Sequence, residues 1–354
     1  MLADLSRRFR DALNWRLRTF NGGRWADYCR PTSVVIVLTM RCTAKCVHCD
    51  IWKRRGREEE LATLDEWKKF LADVRNWLGR AHVVITGGEA LTNPHAIKLL
   101  AHGSSLGLSM ELLTHGYWQN QGRIEEAARS RPWRITMSID GIGKAHGVVR
   151  GREDFWDKAS VSLATLMRLR KEERLGYVIR LKTVIMRHNL GDVANVARYA
   201  ADNGLEVLYQ PIEQNYDTPE DLQWFKHSAN WPTDPEQAVA TVRQLIGLKR
   251  QGLPICNTVG ELEGMIPYFR DPEMQQFAVR AHMAHESHLM CSSLTTMQLE
   301  PNGDVGTCFK MPPVGNIKTA SIREIWKNRP RRWEGGCCQT RAAAPVERET
   351  VAIS

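Results

Sequence analysis

Residues 33–49 read Ser-Val-Val-Ile-Val-Leu-Thr-Met-Arg-Cys-Thr-Ala-Lys-Cys-Val-His-Cys. Val34, Val35, Ile36 and Val37 follow one another without polar alternation, which predicts a buried strand of a parallel sheet. The run ends at Leu38-Thr39 and opens into Cys42, Cys46 and Cys49. The cysteines therefore fall on the loop leaving the strand's C-terminal end, where α/β folds keep their chemistry. The spacing C-x3-C-x2-C brings three thiolates close enough to wrap one compact metal centre, but supplies only three. A structural zinc site closes four ligands, whereas an iron–sulfur cluster on three thiolates keeps one iron open for a substrate. A zinc knuckle with His48 as fourth ligand is the alternative reading.

Working outward, strand and helix patterns alternate. Thr63-x-x-Glu66 is a capping box ahead of an apolar stripe at Leu64, Trp67, Phe70, Leu71, Val74 and Leu78. His82 to Thr86 reads as a second strand ending in Gly87-Gly88-Glu89, and Asn93-Pro94 as the start of the next helix. Further strands are expected at Leu108 to Leu113, Trp133 to Ile139, Tyr177 to Met186 and Leu205 to Gln210, with helices at Phe155 to Leu169 and Val193 to Ala201. That rhythm predicts a parallel sheet with right-handed crossovers. Six repeats predict an open, partial (β/α)6 TIM-like barrel rather than a closed eightfold one. Two glycines after the second strand let backbone approach a ligand closely, and Glu89 can hold an ammonium group. Lys182 shares one face of the fifth strand with Arg180 and Val184. His115, Tyr117 and Trp118 after the third strand, and 211–216 after the sixth, belong at the same mouth as the cysteines. Two further helices are expected at Glu236 to Arg250 and Glu261 to Phe269.

Toward the C-terminus, Cys291 precedes a short alternating strand, Thr295 to Leu299, and Pro301-Asn302-Gly303-Asp304 is a hairpin turn signal. The return strand carries Cys308, and Cys337-Cys338 follow a short helical pattern at 321–326.

These motifs resemble the radical S-adenosylmethionine (SAM) superfamily. The resemblance implies a 4Fe–4S cluster on Cys42, Cys46 and Cys49, with SAM bound through its amino and carboxylate groups to the open iron. The position before the third cysteine is usually aromatic in that family, and here it is His48. Gly87, Gly88 and Glu89 match the stretch that binds the methionine amino group. Ser138-Ile139-Asp140-Gly141, followed by His146 to Arg150, matches the stretch in which the serine meets the SAM ribose and the arginine its carboxylate, with Asp140 beside them. The C-terminal cysteines resemble the SPASM or twitch extension, which holds an auxiliary iron–sulfur cluster. Cys291, Cys308, Cys337 and Cys338 would be its ligands, although a full SPASM set has seven cysteines and does not end in an adjacent pair. Cys256, His282, His285 and His288 are conceivable substitutes.

The resemblance implies five segments: an N-terminal amphipathic helix and lead-in (1–32), the barrel (33–215), a helical linker (216–274), the small α+β cluster-binding extension of β-hairpin and helix (275–345) and a tail (346–354). It also implies reductive cleavage of SAM to a 5′-deoxyadenosyl radical, hydrogen-atom abstraction from a substrate, and a one-electron donor such as a flavodoxin or ferredoxin. With no added leader-peptide-binding domain in view, the reading leans toward oxidation or rearrangement of a small, carbohydrate-like or secondary metabolite. Modification of a ribosomal peptide or protein is the alternative, and a non-catalytic zinc-binding protein the alternative of another class.

Composition bounds these readings. The 354 residues suffice for one large α/β domain with an appendage. No apolar run reaches the ~20 residues of a membrane span, and no signal peptide is visible. Nine cysteines, an odd number and partly in tight clusters, suit metal binding in a reducing, cytoplasmic setting better than a disulfide framework. The net charge of +9 is dispersed, with clumps at Lys53-Arg54-Arg55 and around Arg329 to Arg332. No basic stripe with interleaved aromatics marks a nucleic-acid surface, and an anionic substrate stays open. Leu2, Leu5, Phe9, Leu13, Leu17 and Phe20 form a basic amphipathic stripe that packs on the barrel or lies on a membrane.

Overall fold

A computed structural model describes residues 28–53, 61–272 (apart from 216, 217, 220 and 222), 295–307 and 312–329, together with positions 9, 12–17, 20 and 25. Cys291, Cys308, Cys337, Cys338 and the histidines at 282, 285 and 288 lie outside the described residues. Six parallel strands follow the expected order: β1 (Ser33–Val37), β2 (His82–Thr86), β3 (Ser109–Thr114), β4 (Arg134–Ser138), β5 (Val178–Ile185) and β6 (Glu206–Pro211). Each neighbour in the sheet is the next strand in sequence, the topology of consecutive right-handed crossovers. Among the described residues the arc does not close, because β6 meets only a single bridge from Val207 to Ile255 on its far side.

The crossovers are helices α1 (Leu64–Leu78), α2 (Ala96–Ser105), α3 (Gly122–Arg129), α4 (Lys144–Arg150), α5 (Phe155–Glu172) and α6 (Val193–Asp202), followed by α7 (Pro235–Arg250) and α8 (Val259–Arg270). The capping box of α1 forms as read: the Thr63 hydroxyl accepts from the Glu66 amide, and the Glu66 carboxylate accepts from the Thr63 amide. Its stripe of Trp67, Phe70, Leu71, Val74 and Leu78 is buried. The helix expected at Asn93-Pro94 starts later, at Ala96. The Asn93 side-chain oxygen accepts the His95 amide there, and such local competition turns the chain before a helix can begin. No apolar stripe long enough to declare α3 or α4 was available in their eight and seven residues.

The two faces of the sheet differ. Outward positions such as Val34, Ile36, Ile85, Leu112, Met137 and Leu181 are buried under the helices. Inward positions carry His82, Glu111, Arg134, Thr136, Arg180, Lys182 and Glu206 alongside Val35, Val84, Leu113 and Leu208, so charged and apolar side chains share that face. The C-terminal hairpin joins the same sheet. β7 (Thr296–Leu299) pairs parallel with β1, and β8 (Asp304–Gly306) and β9 (Gly315–Asn316) continue it antiparallel, with α9 (Ile322–Asn328) behind. The Trp326 indole N–H donates to the Cys29 carbonyl at 2.9 Å, which ties that helix to the lead-in. No helix among the described residues is long and apolar enough to cross a membrane.

Candidate active site

The cysteine loop is held by backbone contacts from three sides. The Gly88 and Glu89 amides donate to the carbonyls of Thr39 and Arg41, both at 2.8 Å. A Cβ on Gly88 would sit 2.4 Å from the Arg41 oxygen, and one on Gly87 (φ +145°) 2.2 Å from the Thr39 oxygen. Only glycine permits that approach. On the next side, the Val47 amide donates to the Val149 carbonyl at 3.0 Å, and a Cβ on Gly151 (φ +73°) would meet the Lys45 oxygen at 2.2 Å. From the far end of the arc, Asn230 Nδ2 donates to the Val47 carbonyl at 2.8 Å, and Asn93 Nδ2 donates to the Leu38 carbonyl at 3.0 Å.

Within this frame Cys46 is buried and Cys42 and Cys49 are half-buried, all three as free thiols. Burial pushes the Cys42 thiol up to about 12 and the Cys49 thiol up to about 11. Both stay protonated until a bound metal displaces the proton.

Beneath the loop lies a buried charged pair. Arg150 Nη2 stands 2.5 Å from the Asp140 carboxylate, and Nη1 lies 3.5 Å from Cys46 Sγ. Asp140 Oδ1 also accepts the Val184 amide at 2.9 Å, and Asn189 Nδ2 donates to the Asp140 carbonyl at 2.7 Å. Burial raises the Asp140 pKa, but Arg150, His48, His146 and the Val184 N–H outweigh it, so the group is held below the ordinary carboxylate range. His146 Nδ1 accepts the Asp140 amide at 3.1 Å, which puts the imidazole proton on Nε2; burial lowers its pKa to about 3. Burial likewise lowers His48 to about 4, and its Nδ1 has no hydrogen-bond partner among the described residues.

Glu89 is buried, and both its oxygens accept backbone amides: Oε1 from Leu91 at 3.2 Å and Oε2 from His115 at 2.8 Å. His115 Nδ1 accepts the Tyr117 amide at 2.9 Å, so its proton is on Nε2, facing Thr43 Oγ1 at 3.0 Å in the cysteine loop. Burial lowers the His115 pKa against the pull of Glu89. The 3.3 Å contact between His115 Nδ1 and Glu89 is therefore not an ion pair. Tyr117 and Trp118 line a cleft of about 700 Å³ that reaches Thr43 and Arg152 outside the lumen.

The structure gathers Cys42, Cys46, Cys49, His48, Gly87, Gly88, Glu89, Ser138, Asp140 and Arg150 at the C-terminal mouth of the arc, with Ser138 half-buried at the end of β4. Asn93, Asn189 and Asn230, which brace that mouth, were missed from the sequence. Loop asparagines look alike until tertiary structure shows which carbonyl each one satisfies. The residues fit a cluster held by three thiolates: the thiols share one clamped loop, and buried His48 Nδ1 and Arg150 Nε, without a hydrogen-bond partner among the described residues, lie beside it. Among the described residues no group of three or more His, Cys, Asp or Glu, Cys42, Cys46 and Cys49 included, is drawn together as the ligands of a single ion would be.

A family profile for the Radical SAM superfamily matches residues 36–223, and one for SPASM, an iron–sulfur cluster-binding domain, matches 291–346. The chain is 24% identical over 314 residues to an AdoMet-dependent heme synthase of Methanosarcina barkeri, covering 84% of this chain and 82% of the relative. It is 27% identical over 303 residues to a PqqA peptide cyclase of Streptomyces rochei, covering 84% of this chain and 75% of the relative. Against a Bradyrhizobium diazoefficiens PqqA peptide cyclase, 26% identical over 188 residues and matched over 52% of this chain, it spans 47% of the relative's length. Among solved structures, Streptococcus suis SuiB bound to S-adenosylmethionine superposes with a TM-score of 0.60 at 17% identity, over 85% of this chain and 66% of that one. The native anSMEcpe structure with bound AdoMet and a peptide superposes with a TM-score of 0.56 at 16% identity, over 84% and 81%. The clamped three-cysteine loop at the mouth of a six-stranded arc and the matched profiles agree, and the chain belongs to the radical SAM superfamily as an enzyme with a C-terminal SPASM domain.

Proposed function

We propose that this radical SAM enzyme abstracts a hydrogen atom from a peptide or protein substrate held in the lumen of its open arc. The observation that carries the reading is the likeness to a PqqA peptide cyclase along 84% of the chain. The likeness to a peptide-bound solved structure, anSMEcpe, goes the same way and favours a peptide over the carbohydrate-like substrate toward which the sequence leaned. A second reading, a tetrapyrrole-like small molecule, is favoured by the equally extensive likeness to the heme synthase.

When bound, the cluster and SAM supply the one-electron chemistry that no side-chain acid or base offers. The chain's own residues do the rest. Cys42, Cys46 and Cys49 hold the cluster. Gly87 and Gly88 bring backbone against the cysteine loop, and Glu89 would meet the amino group of SAM. Ser138 would meet the ribose, and Arg150, with Asp140 behind it, supplies positive charge beside Cys46. Cys291, Cys308, Cys337 and Cys338 belong to the auxiliary cluster. Anaerobic reconstitution followed by dithionite and SAM should release 5′-deoxyadenosine, and deuterated candidate peptides should pass deuterium into it. Transfer from a deuterated tetrapyrrole and from no peptide would favour the second reading, and no SAM cleavage at all would refute both.

A further inference from the structure

Of the Lys, Arg, Asp and Glu side chains on the inward faces of β3 to β6, three are cations (Arg134, Arg180, Lys182) and two are carboxylates (Glu111, Glu206). The lower layer is internally paired. Glu111 accepts from His82 at 2.6 Å, from Thr136 at 2.5 Å and from Arg134, while Glu206 accepts from Arg180 at 2.9 Å. Lys182 stands one layer higher. Its Cα is in register with Ser138 of β4 and Leu208 of β6, at the level where the arc opens to the cysteine loop. It makes no hydrogen bond or ion pair with a described residue. The acids that face it are Glu213, Glu111 and Asp140. Glu111 already accepts from three donors, Asp140 is committed to Arg150, and Glu213 is exposed on the chain beyond β6. Lys182 also lies within electrostatic reach of His48, beside Cys49. Lys182 is half-buried, and partial desolvation pulls its ammonium toward the neutral form, so an anionic partner would stabilise the cation there.

We propose that Lys182 anchors a carboxylate of the substrate, and that this enzyme selects carboxylate-bearing substrates. One surplus positive charge suits one carboxylate, whereas a phosphate dianion would require further donors. A carboxylate held there puts the neighbouring carbons of the substrate at the mouth, on the side facing the cysteine loop. The proposal deepens the functional reading above and rests on the lumen being the substrate site. The carboxylate belongs either to a peptide side chain or to a small acid, and the two are separable.

The test uses the full chain, anaerobically reconstituted with iron and sulfide and saturated with SAM. Equilibrium dialysis compares matched probes: a pool of capped hexapeptides with one Glu against the same pool with Gln, and mesoporphyrin, a dicarboxylic tetrapyrrole, against its dimethyl ester. In the unmodified enzyme one acid probe should bind about 10- to 100-fold more tightly than its neutral partner, the range of a charge-assisted hydrogen bond in a partly dry site. Lys182→Gln should erase that preference and Lys182→Arg keep most of it, while SAM affinity stays within about twofold and the melting temperature is unchanged. The arm that responds identifies the source of the carboxylate. Equal binding of acid and neutral probes in both arms, or a preference that survives Lys182→Gln, overturns the proposal. A tenfold loss of SAM affinity in Lys182→Gln also overturns it, by assigning the lysine to SAM. Binding is read separately from turnover, so an enzyme that shows the preference yet cleaves no SAM would sink the functional reading and leave Lys182 in place.

Discussion

Replacing Arg150 by Met should be among the most damaging single changes in the barrel. The change would strand the Asp140 carboxylate, which is 0% exposed, with the Val184 amide as its remaining donor. Removing one partner of a buried ion pair costs about 3–5 kcal/mol, because the other charge is left uncompensated. The pH dependence carries the sign. In the native enzyme the Asp140 pKa is held down, so its contribution to stability is full above the unfolded value of about 3.9 and fades as pH falls through the folded value. Without Arg150, burial dominates and lifts the folded pKa above the unfolded one. The variant then gains stability on protonation, and its deficit shrinks as pH falls from about 8 toward about 5. Guanidinium unfolding of the anaerobic, metal-free full chain, followed by tryptophan fluorescence at several pH values, reads both quantities. Arg150→Met combined with Asp140→Asn should recover most of the loss, since the amide oxygen still accepts from Val184 and no charge is buried. A single variant within about 1 kcal/mol of the parent, or a deficit constant with pH, would refute the reasoning, because no uncompensated charge would then be buried.

Glu111, drawn down to about 2 by its donors despite burial, contributes stability that is present above about 4.3 and lost as pH falls toward about 2, roughly 3 kcal/mol in all. Glu111→Gln should therefore be destabilised at neutral pH and converge on the parent in an acid titration monitored by circular dichroism. Gly88→Ala drives a methyl group into the Arg41 carbonyl and breaks the clamp on the cysteine loop; iron retained after gel filtration and SAM affinity should both fall, the latter about tenfold or more, with the melting temperature lowered by no more than the loss of two hydrogen bonds, about 1–3 kcal/mol, requires. Alanine at any one of Cys42, Cys46 and Cys49 should remove one cluster's worth of iron, about four atoms, and abolish reductive release of 5′-deoxyadenosine. Iron in excess of that in the triple variant would report the SPASM domain.

Much of the fold was legible because its signals are local. Apolar β-branched runs, the capping box at Thr63, and the turn at 301–304 need no tertiary knowledge. The strand ends shifted by one residue or so, and the start of α2 moved past Pro94, because boundaries depend on which side chain captures which backbone amide. Short helices such as α4 escaped for a related reason: seven residues hold too few turns for a periodic stripe.

The residue order alone determined the three-thiolate loop after a buried strand, the Gly-Gly-Glu one unit later and the Ser-Ile-Asp-Gly strand end, since these are spacings along a chain. It also determined that six strand–helix units make an arc. Only the tertiary structure decided which face of each strand looks inward, that Glu111 and Glu206 neutralise Arg134 and Arg180, and that Lys182 is left over. It alone joined the C-terminal hairpin to β1 as a parallel neighbour and brought Asn230 onto the Val47 carbonyl across 183 residues. The physical reason is that charge pairing and backbone satisfaction are settled by distance in space, and a strand's alternation tells the two faces apart without saying which one is the inside.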